Sequence, residues 1–537
     1  MSTSPTERVW SKQQNDIFDE IMKKAKSMPK DLYTGKPQDA VGIDAGAGSG
    51  KTTLIIETIR RLRKECPRLT LRAIVFNTDN AKVFDQRIKD RAVSSSTMHS
   101  YGLDLFKTLT GVKAVPVMFD KWFQVVDALF PQDGPRVNKD IRWHGERIRE
   151  LGIPYSDPKK IKELITGKYR FLIPHEKVVP LLPEICEALE ASDETTSSVD
   201  FNDMSRMVLS NSFIRTQYAT LAKILPDVLF VDEFQDFNLV QHDTLRLFRR
   251  LKPGMLFVFV GDPWQAIYAF RGGLSAGMAE MFKEFNAKRL PSTTTYRSKS
   301  KIVEFVKGRF PNVPLEAFAE GGQVKMLTAH TKKDPYRVKS MIKFDVQRVV
   351  SARNKHLIRI ALEYMDRGLE VTFKKAKVLE QVIGVAMRCG RKSTLDFVKA
   401  LDELRKEAKE PLIKDAADAA LYIVTNWDLG SAAEVKTFIT KIIANDHGKG
   451  VELNTSWGAK GMESERVAVI DDWFDCEDGQ LPHVQYVSYT RASDLLLHIT
   501  PHECVTTTLL KNLSPQNTRF RVAPTEAQLK ARKEWNK

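Results

Sequence analysis

The stretch Val41-Gly42-Ile43-Asp44-Ala45-Gly46-Ala47-Gly48-Ser49-Gly50-Lys51-Thr52-Thr53, continued by Leu54-Ile55-Ile56, decides the fold. A short apolar strand runs into a turn of small residues and then into a helix, so backbone N–H groups and a helix N-terminus converge on one point. That point suits a polyphosphate. Ala45, Gly46, Ala47, Gly48, Ser49, Gly50 and Thr53 would line the cradle, Lys51 would reach the β- and γ-phosphates, and the Thr52 hydroxyl would hold Mg²⁺. The general pattern has glycine where Ala45 stands, which weakens a bare match. The strand before and the helix after restore it, against the alternative of a loop of the same shape that takes no nucleotide.

Composition sets the frame. A chain of 537 residues with 42% hydrophobic content is too long for one core and can bury several. Lys and Arg number 83 against 68 Asp and Glu, a formal charge of +15, which favours a polyanionic partner such as nucleic acid. A merely solvated basic surface is the plainer alternative. The 5 cysteines are scattered without CxxC spacing, which argues against a zinc ribbon, an iron–sulfur cluster or a disulfide framework and fits a reducing, cytoplasmic setting. Met1 to Arg8 has no apolar core of a leader, and no run approaches the length of a membrane span, so neither export nor a membrane partner is expected.

Along the chain, Trp10 to Phe18 reads as a helix start, and Gln14 there carries an amide suited to reading adenine, or is simply a surface glutamine. Leu71 to Phe76 is a β-rich run expected beside the first strand in a parallel sheet, with Asn77-Thr78 as its polar exit. Ser94 to Gly102 offers hydroxyls, an imidazole and an aromatic ring in one loop. From about Phe106 to Asp200 helical patterns and a basic segment suggest an insertion between two parts of one sheet. Asp227 to Val231 is a buried strand ending in Asp232 and Glu233; Asp232 can hold the Mg²⁺ shell and Glu233 can accept a proton from attacking water. A further central-strand run, Met255 to Val260, ends at Gly261 to Gly272, delivering Gln265 toward the phosphates and Tyr268 and Phe270 toward a neighbouring surface.

Taken together, AGAGSGKT at 45–52, DEFQD at 232–236, GDPWQAIYAFRG at 261–272, TYRS at 295–298, AKGME at 459–463 and YVSYTRA at 486–492 resemble the UvrD/Rep/PcrA-like branch of superfamily 1 helicases in identity, order and spacing. The resemblance implies an α/β fold: two RecA-like P-loop motor domains with parallel sheets, each carrying a mainly helical accessory insertion. It places the first motor domain at 1–105 and 199–285, its insertion at 106–198, the second motor domain at 286–373 and 446–537, and a reduced second insertion at 374–445. By the same resemblance Gln14 reads adenine, Tyr296 stacks on it and Glu463 lies near the ribose. Lys51, Thr52, Asp232, Glu233 and Gln265 form the catalytic set, joined by Arg297 and Arg491 as arginine fingers. Phe76, Asn77, Thr97, His99, Tyr101, Tyr268, Phe270, Thr455 and Trp457 fall in DNA-facing motifs. The cofactors implied are ATP and Mg²⁺. The implied partner is single-stranded DNA and its junctions with duplex, tracked 3′→5′ with unwinding, by a protein expected to be monomeric and to work with replication or repair partners.

Some places depart from that pattern. Trp457 stands where the family has histidine, so a ring that can stack but cannot exchange a proton faces the strand or else joins the core. The span between Asn354 and Thr455 is short for the second insertion, so helices are expected near Thr394–Lys409 and Ala432–Ile443, with Lys374-Lys375-Ala376-Lys377 as a solvated face or a phosphate contact. The segment after Arg491 is expected to be too short for a fused nuclease, and its basic end to be disordered. The short second insertion also motivates a rival, a translocase that displaces proteins without processive unwinding. A non-catalytic scaffold built on the same fold and a motor directed at RNA compete with it.

Overall fold

The computed structural model describes residues 9–502 apart from 91, 132–134, 154–157, 168, 170–172, 269–276, 331–333, 366, 374–376, 391–392, 409–410, 428, 445–449 and 473–480. They divide into two compact units, the first running to Thr295 and the second beginning at Tyr296.

Among the described residues the first unit is built on one sheet of six strands: β1 (Val41–Ala45), β2 (Leu71–Ile74), β3 (Val93–Ser96), β4 (Val228–Val231), β5 (Leu256–Gly261) and β6 (Lys288–Ser292). All neighbours are parallel, in the order β3-β2-β4-β5-β1-β6. The unbroken apolar runs of β4 and β5 are what burial on both faces of a parallel sheet demands. In β4, Val228 and Phe230 join one core with Ile17, Phe18 and Ile59, while Leu229 and Val231 join another with Phe248 and Phe282, as the two-residue period of a strand dictates. The chain leaves β1 toward β2 on one side and returns from β5 to β6 on the other, so the connection order reverses between β1 and β5. Ligands of open parallel sheets sit beyond the carboxyl ends of the strands at such a reversal.

Between β3 and β4 the described chain is helical. Helix Met98–Thr110 still belongs to the sheet's core through Leu105, Phe106 and Leu109. The chain then leaves through a neck, where the Val199 N–H donates to the Pro116 carbonyl at 3.0 Å and the Met118 N–H to the Val199 carbonyl at 2.9 Å. Past the neck, helices Lys121–Leu129, Pro135–Glu150, Pro158–Thr166 and Leu182–Glu194 enclose a separate core around Trp122, Ile148, Ile161 and Leu189. A buried ion cluster fastens this module. The Lys121 ammonium donates to the Ser192 and Thr195 carbonyls at 2.8 and 2.9 Å and to the Asp203 carboxylate at 2.7 Å. Arg149 reaches both Asp200 and Asp203 at 2.7 Å.

Two short strands, β7 (Thr294–Thr295) and β8 (Glu316–Ala317), come next in the chain. The second unit holds, among the described residues, a sheet of β9 (Gln323–Thr328), β10 (Arg348–Ser351), β11 (Val371–Phe373), β12 (Val451–Thr455), β13 (Ser464–Ile470) and β14 (Ala492–Thr500). It is also parallel throughout, in the order β11-β12-β10-β13-β14-β9. Between β11 and β12 lie helices Lys377–Arg388, Thr394–Glu407, Pro411–Trp427 and Ala432–Ala444, packed around Val382, Phe397, Leu401, Ile423 and Ile439 together with Ile358 and Leu362 of helix Asn354–Met365. The helices expected near Thr394 and Ala432 are present, and two more accompany them. Lys374, Lys375 and Ala376, and the chain beyond His502, lie outside the described residues. No described helix is long and apolar enough to cross a membrane.

Candidate functional site

The carboxyl end of β1 carries the phosphate loop. Gly48 and Gly50 adopt φ of +73° and +80°, which a residue with Cβ rarely accepts, and Gly50 is the cap from which helix Lys51–Glu65 starts. Ala45 ends the extended strand with its methyl in the core at 2% exposure, which explains why the glycine of the general pattern is dispensable there. The Ser49 hydroxyl is buried without a hydrogen-bond partner, and the loop is held in place by the Gly46 N–H donating to the Ser292 carbonyl of β6 at 3.0 Å. Thr53 accepts from Arg87 at 3.0 Å, bringing to the loop a guanidinium that the motifs did not single out.

Asp232 and Glu233 follow β4 and face this loop. The Thr52 hydroxyl lies 3.2 Å from the Asp232 carboxylate, and the Lys51 ammonium lies 3.5 Å from Glu233. Burial first, and the Glu233 charge second, push Asp232 up to about 7. A buried carboxylate so disposed calls for a cation, and a hydroxyl with a carboxylate are hard oxygen donors that fit Mg²⁺. Among the described residues no group of three or more His, Cys, Asp or Glu is placed to hold a metal ion, so such an ion would draw much of its shell from phosphate and water. Glu233 itself has φ of +50°, a left-handed conformation that costs a non-glycine residue about 1–3 kcal/mol and must be imposed by its surroundings.

Those surroundings are visible. Gln235 donates to the Glu233 carboxylate at 2.6 Å and accepts from the Asp262 N–H at 2.9 Å, tying the ends of β4 and β5 together. Gly261 makes room for this bridge, since a Cβ there would stand 2.7 Å from the Gln235 amide oxygen. Gln265 in turn donates to the Asp262 carboxylate at 2.6 Å. Lys51, Thr52, Asp232, Glu233 and Gln265 thus gather around the ends of three strands. Gln235 was missed because its role depends on two strands being neighbours.

Gln14 is buried at 2% exposure and closes a capping box: its amide oxygen accepts from the Ser11 N–H at 3.0 Å while the Ser11 hydroxyl accepts from the Gln14 N–H at 3.2 Å. Gln13, which no motif pointed to, exchanges bonds with Thr293 at 2.9 Å in each direction.

In the second unit Arg297, Glu463 and Arg491 converge. Arg297 donates to the Glu463 carboxylate and, at 3.2 Å, to the Thr490 carbonyl. Arg491 is 1% exposed and donates to the Val487 and Met462 carbonyls at 2.8 and 3.0 Å and to the Thr490 hydroxyl at 3.1 Å. Its burial was not foreseen. Tyr296 is half-buried, with its ring against Phe318.

The residues assigned to DNA divide. Phe76 stacks on Tyr268 with centroids 5.2 Å apart, forming a half-exposed aromatic platform at the ends of β2 and β5. His99 meets Phe201, which is 53% exposed and in turn touches Phe119 at 80% exposure, two rings that the sequence alone did not select. Tyr101 requires a correction. It is 1% exposed in the core, with the Arg72 guanidinium 3.8 Å from its ring, and burial raises its phenol well above the ordinary range, so it cannot stack on a base. Helix position explains this: two residues after His99, the ring points to the opposite face. Thr97 and Asn77 cap helices, accepting from the Ser100 and Asn80 N–H groups at 3.2 and 2.7 Å, and Thr97 is buried. Trp457 is half-exposed in the turn after β12, not in the core, and Thr455 accepts from the Gly458 N–H at 3.0 Å to shape that turn. Phe270 lies outside the described residues.

Residues 31–286 match the UvrD/REP helicase N-terminal domain. The chain is 25% identical over 352 residues to the ATP-dependent DNA helicase Rep of Buchnera aphidicola, covering 60% of this chain and 48% of that protein. It is 23% identical over 385 residues to the ATP-dependent DNA helicase PcrA of Leuconostoc citreum, covering 66% and 49%, and 24% identical over 320 residues to Rep of Escherichia coli, covering 54% and 45%. The chain spans about half the length of these curated relatives. With its phosphate loop and carboxylates at the reversal of a parallel sheet, the chain carries over residues 31–286 the N-terminal domain of UvrD/REP helicases and is similar to the Rep and PcrA helicases.

Proposed function

We propose that this protein is an ATP-dependent DNA translocase and helicase that moves 3′→5′ along single-stranded DNA and separates duplex ahead of it. The observation that carries the reading is the gathering of Lys51, Thr52, Asp232, Glu233 and Gln265 at the ends of β1, β4 and β5. Backbone N–H groups of the loop and Lys51 bind the triphosphate, and Thr52 with Asp232 would hold Mg²⁺, which neutralises charge on the phosphates when bound. Glu233 accepts the proton of the attacking water, and Gln265 senses the γ-phosphate. By family likeness Arg297 and Arg491 stabilise the charge that develops in transfer, with Tyr296 on the base and Glu463 near the ribose. Phe76, Tyr268 and His99, with Phe201 added, offer rings on which bases stack at about 1–3 kcal/mol each, so that a stroke of the ATP cycle displaces the strand. Polarity and unwinding rest on family likeness. Replication or repair proteins are the proposed partners, in the cytoplasm.

Steady-state ATPase, with and without DNA or RNA oligomers, followed by strand displacement on forks of both polarities, tests the proposal. DNA-stimulated turnover, abolished in Lys51→Ala, with opening of 3′-tailed substrates only is the expected result. Undiminished turnover in Lys51→Ala would move the active site elsewhere, and displacement of streptavidin without duplex opening would establish the stripping motor instead.

A further inference from the structure

Phe318 is 70% exposed, and its ring centroid lies 4.9 Å from that of Tyr296 with the planes 42° apart. The loop that carries it is tied down. The Ser300 and Lys301 N–H groups donate to the Ala319 and Gly321 carbonyls, each at 3.0 Å. The Ser300 hydroxyl donates to the Glu320 carboxylate at 2.6 Å and accepts from the Gly321 N–H at 3.1 Å. An exposed phenylalanine is therefore presented on a fixed backbone, four bonds anchoring it to the start of helix Ser300–Arg309, and its ring rests on Tyr296.

The distance decides what the pair can do. A base sandwiched between two rings needs about 7 Å between them, twice the contact distance of stacked carbon atoms. At 4.9 Å the two rings already touch in a tilted aromatic pair, so Phe318 backs Tyr296 rather than forming a second wall. Tyr296 is half-buried, and a ring lodged against it narrows its choice of rotamers.

We propose that Phe318 is a positioning residue for nucleotide binding, holding the Tyr296 ring at the attitude in which it stacks on a purine base. The inference rests on the reading of Tyr296 as the base-stacking residue. Its effect is confined to binding of the base; the triphosphate and the chemical step do not feel it. Because Phe318 is exposed, replacing it removes no core packing.

The test uses the full chain with Phe318→Ala, Phe318→Leu, Phe318→Trp and Tyr296→Ala, measuring kcat and KM for ATP and the inhibition constant of tripolyphosphate, which has no base. Phe318→Ala and Phe318→Leu should raise KM for ATP about 2- to 10-fold, the worth of one aromatic pair, with kcat within about twofold. Phe318→Trp should restore it, and tripolyphosphate inhibition should stay unchanged. An unchanged KM in Phe318→Ala, or an equal loss of tripolyphosphate affinity, overturns the proposal. If Tyr296→Ala raises KM while Phe318→Ala does not, only the role of Phe318 falls; if neither raises it, the stacking reading of Tyr296 falls as well.

Discussion

Replacing Asp203 with alanine should destabilise the first unit severely. The Asp203 side chain is fully buried and the Lys121 side chain is 2% exposed. The Asp203 carboxylate accepts from Lys121 and Arg149 at 2.7 Å each and from the Asp200 N–H at 3.0 Å, closing the capping box of helix Phe201–Ser210. Removing one partner of a buried ion pair costs about 3–5 kcal/mol, because the charge left behind remains out of water. Losing the bond from the Asp200 N–H, the N3 half of the capping box, adds about 1 kcal/mol. The sum, about 4–6 kcal/mol, is a large part of what a domain of this size possesses. Arg149 keeps Asp200 at 2.7 Å and Glu146 at 3.0 Å, so the stranded charge is that of Lys121. Adding Lys121→Met to Asp203→Ala should therefore recover about 1–3 kcal/mol. Urea denaturation followed by circular dichroism and by tryptophan fluorescence reports the loss, since Trp122 lies 5.1 Å from the Arg149 guanidinium. A loss below about 1 kcal/mol, or a double variant less stable than Asp203→Ala, would refute the account of this cluster as mutually dependent buried charges.

Glu233→Gln should retain ATP binding and slow hydrolysis about 10²–10⁴-fold in single-turnover assays; normal hydrolysis would remove Glu233 as the base. Arg297→Ala should lower DNA-stimulated kcat by about 10³–10⁵ with little change in nucleotide affinity. Arg491→Ala should do the same and in addition lower stability by about 1–3 kcal/mol, because three acceptors lose a buried donor; a thermal midpoint equal to wild type would contradict the latter. The second unit should lose stability in acid through His356, whose imidazole lies 2.8 Å from the Tyr336 hydroxyl and contacts Asp472. Burial lowers His356 to about 4, below its ordinary 6.5, so its contribution is complete above pH 6.5 and disappears as pH falls toward 4, amounting to about 3 kcal/mol at most. His356→Gln should flatten the dependence of the urea midpoint between pH 7 and pH 4.5, and an unchanged slope would exclude this origin.

What could be read from the sequence was what a short segment decides alone. The phosphate loop needs glycines at positive φ followed by a helix, and strands buried on both faces need apolar runs, so Gly48, Gly50, β4 and β5 announced themselves. Residues whose work depends on a distant neighbour gave no such sign. Arg87 matters because helix Thr78–Ile88 passes beside Thr53, Gln235 because β4 lies next to β5, and Phe201 because the chain returns from the insertion beside His99. Tyr101 misled for the same reason. A tyrosine in a polar motif looks available until Arg72 and Phe248 are seen to enclose it. The burial of Arg491 depends on carbonyls ending helix Leu481–Tyr489 and on Met462, contacts that spacing does not announce.

The neck at Val117 and Val199 makes the helical insertion a detachable module. Its two ends are adjacent and run parallel in a bridge, so a short linker passing directly from Pro116 to Asp200 could replace everything between them without altering β3 or β4. Excision would carry away Lys121 and Arg149 but leave Asp200 and Asp203 behind in the parent unit. A graft or a deletion at this point must therefore be designed in matched charges as well as matched ends, neutralising both aspartates or importing a lysine and an arginine for them.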